Sequence, residues 1–184
     1  MKILKVIHGY PIRYNAGSEV YTQTLCHELV KRHDVCVFSR IENPFLPDYA
    51  VVEEKDTLQE AISLRLVNLP LEKHRYRYRD PKVDLRFKEC LETFKPDVIH
   101  IGHLNHLSCS LVEVAKKFEI PIFFTLHDFW LLCPRGQFLQ RRPTEEELYP
   151  LCDGQEDEKC AKACFACYHS GSEEDQHRDE VAWT

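Results

Sequence analysis

The stretch KILKVIHGYPIRYNAGSEVYTQTLCHELVKRHDVCVF, Lys2 to Phe38, decides how the rest of the chain is read. Its first apolar run, Ile3, Leu4, Val6 and Ile7, ends at His8, Gly9, Tyr10 and Pro11. A short, nearly continuous apolar run closed by loop formers suits a buried parallel strand. After Ala16, Gly17, Ser18 and Glu19 the spacing turns helical, with Tyr21, Leu25 and Leu29 on one stripe and Val20 beside it. Ser18 is the expected N-cap, and Glu19 suits the positive first turn of the helix. The segment Asp34 to Phe38 reads as a second strand, so the opening is strand, glycine-containing loop, helix, strand.

Outward from that unit the alternation continues. Strands are expected near Tyr49–Val52 and Ser63–Leu69, separated by a charged stretch. Val83, Phe87, Leu91 and Phe94 mark a helix that stops at Lys95, because the residue before Pro96 is disfavoured in helical geometry. Asp97–Ile101 is a strand, Leu107, Leu111, Val114, Ala115 and Phe118 make a helix, and Ile120–Leu126 is another strand. Such alternation predicts an α/β fold, a Rossmann-like doubly wound parallel sheet with right-handed crossovers. Beyond Trp130 the periodicity fades into a polar, acidic, cysteine-bearing region. The organisation read from this is a Rossmann-like domain over 1–132, a cysteine-rich insertion over 133–170 and the start of a truncated helix over 171–184.

With 184 residues, 43% apolar and 29% charged, the chain has the make-up of a globular protein, with one sizeable core and an appendage. No apolar run approaches the roughly 20 residues of a membrane span. The opening MKILKVIHGYP has no cleavable signal pattern, which makes a cytoplasmic protein the expectation. Residues 1 to 100 carry 16 Lys and Arg against 15 Asp and Glu, and residues 101 to 184 carry 8 against 15, so the net charge of −6 lies in the second part. Nucleic acid is therefore not an expected partner, since phosphate backbones need concentrated positive charge.

Ligands of an open parallel sheet bind beyond the carboxyl ends of its strands. Three loops leave such ends: His8–Glu19, Gly102–His106 and His127–Cys133. Gly17 at a helix start could let backbone N–H groups approach a phosphate, or could serve a tight turn. Neither a G-x-G-x-x-G fingerprint nor a P-loop is present, so no NAD-type cofactor is expected. His100, inside a strand, reads as a satisfied core residue. His127 and Asp128, capping an apolar strand at the ligand edge, can exchange protons and hydrogen-bond a polyol.

Together KILKVIHGYPIRYNAGSEVYTQTLCHELVKRHDVCVFSR, KPDVIHIGHLNHLS and IPIFFTLHDFWLLCPRGQ resemble the N-terminal, acceptor-side domain of the family 4 retaining glycosyltransferases. The resemblance runs from residue 2 to about residue 140, and the cysteine-rich continuation is similar to one branch of that family. It implies half of a GT-B fold, in which two Rossmann-like domains face each other across a cleft. By resemblance the glycine-rich loop falls at Ala16, Gly17, Ser18 and Glu19, near the donor diphosphate and acceptor. The family often has two glycines there, whereas Ala16 and Ser18 flank Gly17 here. His127 of Thr125-Leu126-His127 resembles the residue that contacts the donor sugar, and His103 and His106 match a loop lining the acceptor site. The implied reaction moves a sugar from a nucleotide-sugar to a hydroxyl of a glycan or lipid-linked acceptor, with retention, as in polysaccharide biosynthesis.

In this family a C-terminal Rossmann-like domain holds most of the nucleotide through two glutamates separated by seven residues. No glutamate pair here has that spacing. The chain reads as half an enzyme ending at a truncation point, incompetent alone and at most peripheral to the inner face of a membrane. The alternative is a non-catalytic Rossmann-like module that binds a glycan or a protein.

Nine cysteines divide into two groups. Cys26, Cys36, Cys90 and Cys109 sit in periodic segments and read as small buried hydrophobes. Cys152, Cys160, Cys164 and Cys167 form C-x7-C-x3-C-x2-C, with Cys133 nineteen residues upstream as an alternative ligand. Four thiolates satisfy tetrahedral zinc in a closed, structural site. An iron–sulfur cluster, free thiols or disulfides are the other readings. The basic and aromatic alternation Lys73–Arg79 and the acidic run Ser172–Glu180 are read as solvated segments.

Overall fold

The computed structural model describes residues 1–71, 78–133, 135–139 and 150–164, with side chains described as far as Cys160. Most of the Lys73–Arg79 alternation, the side chain of Cys164, all of Cys167 and the segment 171–184 lie outside the described residues. The chain divides into two compact units, Met1–His127 and Asp128–Thr184.

In the first unit, six strands form one sheet: β1 (Lys2–Val6), β2 (Asp34–Ile41), β3 (Val51–Lys55), β4 (Ser63–Asn68), β5 (Val98–Ile101) and β6 (Ile122–Phe124). Their order is β3-β4-β2-β1-β5-β6. Every pairing is parallel except β3 with β4. The expected Rossmann-like α/β sheet is thus present, with one antiparallel edge that the sequence did not announce. β3 carries Glu53, Glu54 and Lys55, charges that suit an exposed edge because they discourage pairing with another chain. Its span also corrects the expected Tyr49–Val52 strand, as Tyr49 instead turns through a left-handed conformation with φ of 61°.

Helix α1 (Gly17–Leu29) covers one face of the sheet and α2 (Pro81–Phe94) the other. The alternation of side chains along β2 places Val35 and Val37 with Cys26 of α1, while Phe38 meets the Phe87 ring edge-on at 5.2 Å. α2 is capped by Asp80, whose carboxylate accepts the amides of Lys82 and Val83, and Pro81 sits where its missing N–H costs nothing. It ends where expected, with Lys95 left-handed just before Pro96. α3 (Leu111–Lys117) is shorter than the Leu107–Phe118 pattern, since Leu104 and Leu107 are buried from a loop instead. β6 is likewise shorter than Ile120–Leu126, because Leu126 is largely exposed.

Two local expectations for α1 are corrected. The helix begins at Gly17 with Ala16 as N-cap and no side-chain cap, and Ser18 Oγ donates to Glu19 Oε2 at 2.9 Å. Its buried stripe is Glu19, Thr22 and Cys26, while Val20 and Tyr21 face outward. Polar groups on the strands beneath it, described below, turn the polar stripe inward.

Asp56, just after β3, ties the first loop, α1 and the sheet edge together. Its buried carboxylate accepts Tyr10 OH at 2.8 Å, Gln23 Nε2 at 2.9 Å and the amides of Leu58 and Gln59 at 2.8 Å each. His27 Nε2 stands 3.2 Å away. Burial alone would raise this carboxyl, but the donors from Gln23, Tyr10, Leu58 and Gln59 outweigh it and hold it below the usual range.

In the second unit, Leu139 and Leu151 form an antiparallel bridge, and helix α4 spans Asp157–Cys164. We expect Asp56→Ala to lower stability by about 2–4 kcal/mol in urea titrations, since it strands several buried donors at once. Glu113→Ala, which removes only the exposed partner of Arg79, is expected to cost less than about 1 kcal/mol.

Candidate active site

The strand order reverses beside β1, whose neighbours are β2 on one side and β5 on the other. Chains leaving β1, β5 and β6 therefore meet at one edge of the sheet. His8, at the end of β1, offers Nε2 to Glu19 Oε1 at 3.0 Å. Glu19 is only 3% exposed, so a residue expected to serve the helix dipole instead anchors α1 to the strand end. The carbonyl of His8 accepts Arg40 Nε at 2.8 Å, and the Arg40 guanidinium lies over the Tyr14 ring. Gly9 is required there, because a Cβ would stand 2.7 Å from Tyr14 Cβ and Cγ.

From the β5 loop, His103 packs edge-on against His8, with ring centroids 4.7 Å apart. His103 Nδ1 accepts the Asn105 amide at 3.0 Å, which assigns its proton to Nε2. His106 adopts a left-handed φ of 59° and brings its exposed ring to 6.4 Å from His8. Two of the expected histidines are thus gathered around a third, His8, to which the sequence reading gave no role. A polar ring directly at a strand end was the available signal.

Gly17, in contrast, is not demanded by packing. A Cβ there would meet nothing within 4 Å, and its backbone is not left-handed. The tight-turn explanation for this glycine therefore fails, and the uncapped start of α1 stands open beside Ser18.

His127, after β6, is exposed and packs edge-on against Tyr21 of α1 at 5.0 Å. Behind it, His100 Nε2 and Thr125 Oγ1 are 2.8 Å apart, so His100 is the satisfied residue expected. Burial, then the charges of Lys5 and His127, lower His100 to about 4, which keeps it neutral near pH 7. At the rim of the sheet, beyond β2, a cavity of about 380 Å³ is lined by residues including Arg13, Tyr14, Glu42, Asn43 and Glu54. Arg13 and Glu54 form a bidentate pair across its wall.

In the second unit, Asp128 Oδ1 accepts the Trp130 amide at 2.9 Å, which builds the turn after the sheet. Its other oxygen lies against Gly136, where φ is 73° and a Cβ would stand 3.1 Å away. Cys133 is buried beneath this turn. Burial would raise its thiol, but amides of Phe138, Arg135, Gln137 and Gly136 directed at the sulfur bring it below the usual value. The Cys152 amide donates to Phe138 O at 2.7 Å, and Cys160 is buried with its sulfur accepting the Glu156 amide. Among the described residues no three His, Cys, Asp or Glu side chains are grouped to hold a metal. Only Cys152 and Cys160 of the four expected ligands, with Cys133, have described side chains.

An α/β domain with an uncapped helix, histidines and a carboxylate at its switch point is the class defined by this geometry. The profile of Glycosyltransferase Family 4 matches residues 15–154, well over half of the chain, and the protein belongs to that family. A 42.6 kDa protein of the cps region of Klebsiella pneumoniae is 27% identical over 142 residues, covering 68% of this chain and 36% of that protein. Sucrose-phosphate synthase from Thermosynechococcus elongatus aligns at 18% identity with a TM-score of 0.41, over 67% of this chain and 31% of that one. The chain thus spans about a third of the length of either relative. No described helix is long and apolar enough to cross a membrane.

The His100 shift has a sign. The folded state resists protonation that the unfolded chain accepts near pH 6.5, so stability is full above that pH and falls as the pH drops toward about 4. His100→Gln should flatten this slope: urea midpoints at pH 7 and pH 5 are expected to differ less in the variant than in the wild type.

Proposed function

We propose that this chain is the acceptor-side domain of a retaining glycosyltransferase that moves a sugar from a nucleotide-sugar to an acceptor hydroxyl. The observation that carries the reading is the meeting of the open α1 start at Gly17 and Ser18, the His8–Glu19 pair, His103, His106 and His127 at one edge of the sheet. Family membership supports the same reading.

Each part has a task. The bond from the anomeric carbon to a diphosphate oxygen breaks, a bond to the acceptor oxygen forms on the same face, and the acceptor's hydroxyl proton passes to the departing diphosphate. Negative charge gathers on the departing diphosphate, which the free amides at Gly17 and Ser18 and the positive end of α1 can stabilise. His127, held by Tyr21, donates to or accepts from the donor sugar's hydroxyls. His103 and His106 line the acceptor side. The cavity beyond β2 is of ligand size, and its carboxylates and guanidinium suit a polyol acceptor.

The nucleotide itself is to be held by a C-terminal Rossmann-like domain, so the 184-residue chain alone is expected to bind an acceptor without turning over. The reading places the protein in the cytoplasm, at most peripheral to the inner membrane face, with no nucleic-acid partner and no NAD.

In the second unit we propose a structural zinc held by thiolates. The ligands of this proposal are Cys152, Cys160, Cys164 and Cys167, and the amides that lower the Cys133 thiol keep it the alternative ligand. A zinc would supply a fold for a region too polar to form its own core.

Two measurements test these readings. In a form carrying the nucleotide-binding domain, His127→Ala is expected to lower kcat by about a hundredfold or more, as loss of a transition-state donor does. Activity within tenfold of wild type would remove His127 from the mechanism. Elemental analysis of reduced protein is expected to give about one zinc per chain, and less than about 0.2 overturns the metal proposal.

A further inference from the structure

Two of the nine cysteines meet in the layer between the sheet and α2. Cys36, on β2, is wholly buried, and Cys90, on α2, is 2% exposed. Alternation along β2 turns Cys36 and Phe38 to one face of the sheet, where Phe38 meets Phe87 of α2. The end of α2 is tied to the start of β1, Lys2 Nζ donating to the Phe94 carbonyl, so the helix runs antiparallel to the parallel strands β1 and β2. One turn on from Phe87 toward that end comes Cys90, and two residues back from Phe38 toward the same end comes Cys36. Rises of about 4.5 Å along the helix and about 6.6 Å along the strand keep the second pair in step with the first.

β4 completes the cluster. In the parallel ladder Ser63 stands opposite Cys36 and Arg65 opposite Phe38, which puts both on the α2 face. The Cys36 sulfur takes side-chain hydrogen bonds from Cys90, Ser63 and Arg65. Both cysteines are free thiols. The Arg65 side chain is 25% exposed and also holds Glu53 at the sheet edge, so the cluster lies one side chain from solvent.

A pair that only filled space would need no such donors. Donation from Cys90, then from Ser63 and Arg65, outweighs burial and holds the Cys36 thiol below its usual range. The same contact, together with burial, pushes Cys90 up. One sulfur is thus prepared as a nucleophile, and its neighbour is kept as a thiol to follow it.

We propose that Cys36 and Cys90 form a redox pair, closed to a disulfide by a hydroperoxide and reopened by a dithiol. The Cys36 thiolate attacks the terminal oxygen of the hydroperoxide, the O–O bond breaks, and water or an alcohol leaves with the proton that Cys36 gave up. Cys36 is then a sulfenic acid. The Cys90 sulfur attacks the Cys36 sulfur, the S–O bond breaks, and the hydroxide leaves as water with the Cys90 proton. Two thiols give up two electrons and two protons, and the hydroperoxide takes them. A dithiol reverses the bond through a mixed disulfide and is itself oxidised. The bond fastens the second half of α2 to β2, and the loop that it closes contains β3 and β4.

The test uses the full chain with hydrogen peroxide as the probe. Digestion after glutamate places Cys36 alone in the peptide 29–42 and Cys90 alone in 90–92. After exposure and alkylation of the remaining thiols, the two peptides are expected as one linked species, two hydrogens lighter than their sum, and dithiothreitol is expected to release both. Cys90→Ser should leave Cys36 as a sulfenic acid that a cyclic 1,3-diketone captures, whereas Cys36→Ser should leave Cys90 unmodified. Should either variant fail to fold, the linkage in the wild type decides. The oxidised wild type is expected to unfold about 5 °C or more above the reduced protein, and Cys36→Ala to lose that difference. Peptides recovered unlinked from folded, peroxide-treated protein, or Cys36 bonded to a cysteine other than Cys90, overturn the proposal.

Discussion

The contact between Glu19 and His8 sets the geometry on which the site depends. A carboxylate in the first turn of α1 reaches back to the ring at the end of β1, which fixes the helix start over the strand end. Its desolvation is offset by two hydrogen bonds, from His8 and Ser18, and the surrounding rings exclude water that would compete for them. Because that first turn must point its carboxylate inward, the stripe Glu19, Thr22 and Cys26 follows into the sheet. Tyr21 is turned outward by the same rotation, and there it meets His127. One hydrogen-bonded contact thus decides which face of α1 is buried and which histidine it supports.

Much of the fold was legible in the residue pattern, and the errors have physical causes. The order of strands and helices follows from apolar runs between loop formers, and the end of α2 follows from Lys95 and Pro96. β2 continues to Ile41 through Ser39 and Arg40, polar residues that hide a strand when only apolar runs are counted. The inward face of α1 was misread because amphipathic spacing assumes that apolar side chains face the core. Polar groups on β1 reverse that assumption locally. The β3 edge was obscured for a related reason: its Glu and Lys residues protect an edge rather than fill a core.

The site was legible in part. Loops at carboxyl ends of strands pointed to Gly17, His103, His106 and His127, and the first unit gathers three of these loops at one edge. What sequence spacing could not supply was pairing across long separations. Thr125 satisfies His100 and Glu19 meets His8, and each pairing depends on how strands and helix are registered. A charged residue in the middle of an apolar strand was nonetheless visible in KILKVI, and it marks the place where local pattern and global fold disagree.

Asp56 carries an implication for how this domain can vary. The outer hairpin of β3 and β4 is joined to the first loop twice, through Asp56, which takes Tyr10, Gln23 of α1 and the turn amides, and through the pair of Arg13 with Glu54. On β4, Leu64, Leu66 and Val67 are core, whereas β3 presents Glu53 and Lys55 to solvent, so the exposed positions of the edge strand are the ones free to drift. The outer strand can therefore serve as replaceable trim, provided that the bolts at Asp56 and Glu54 are kept.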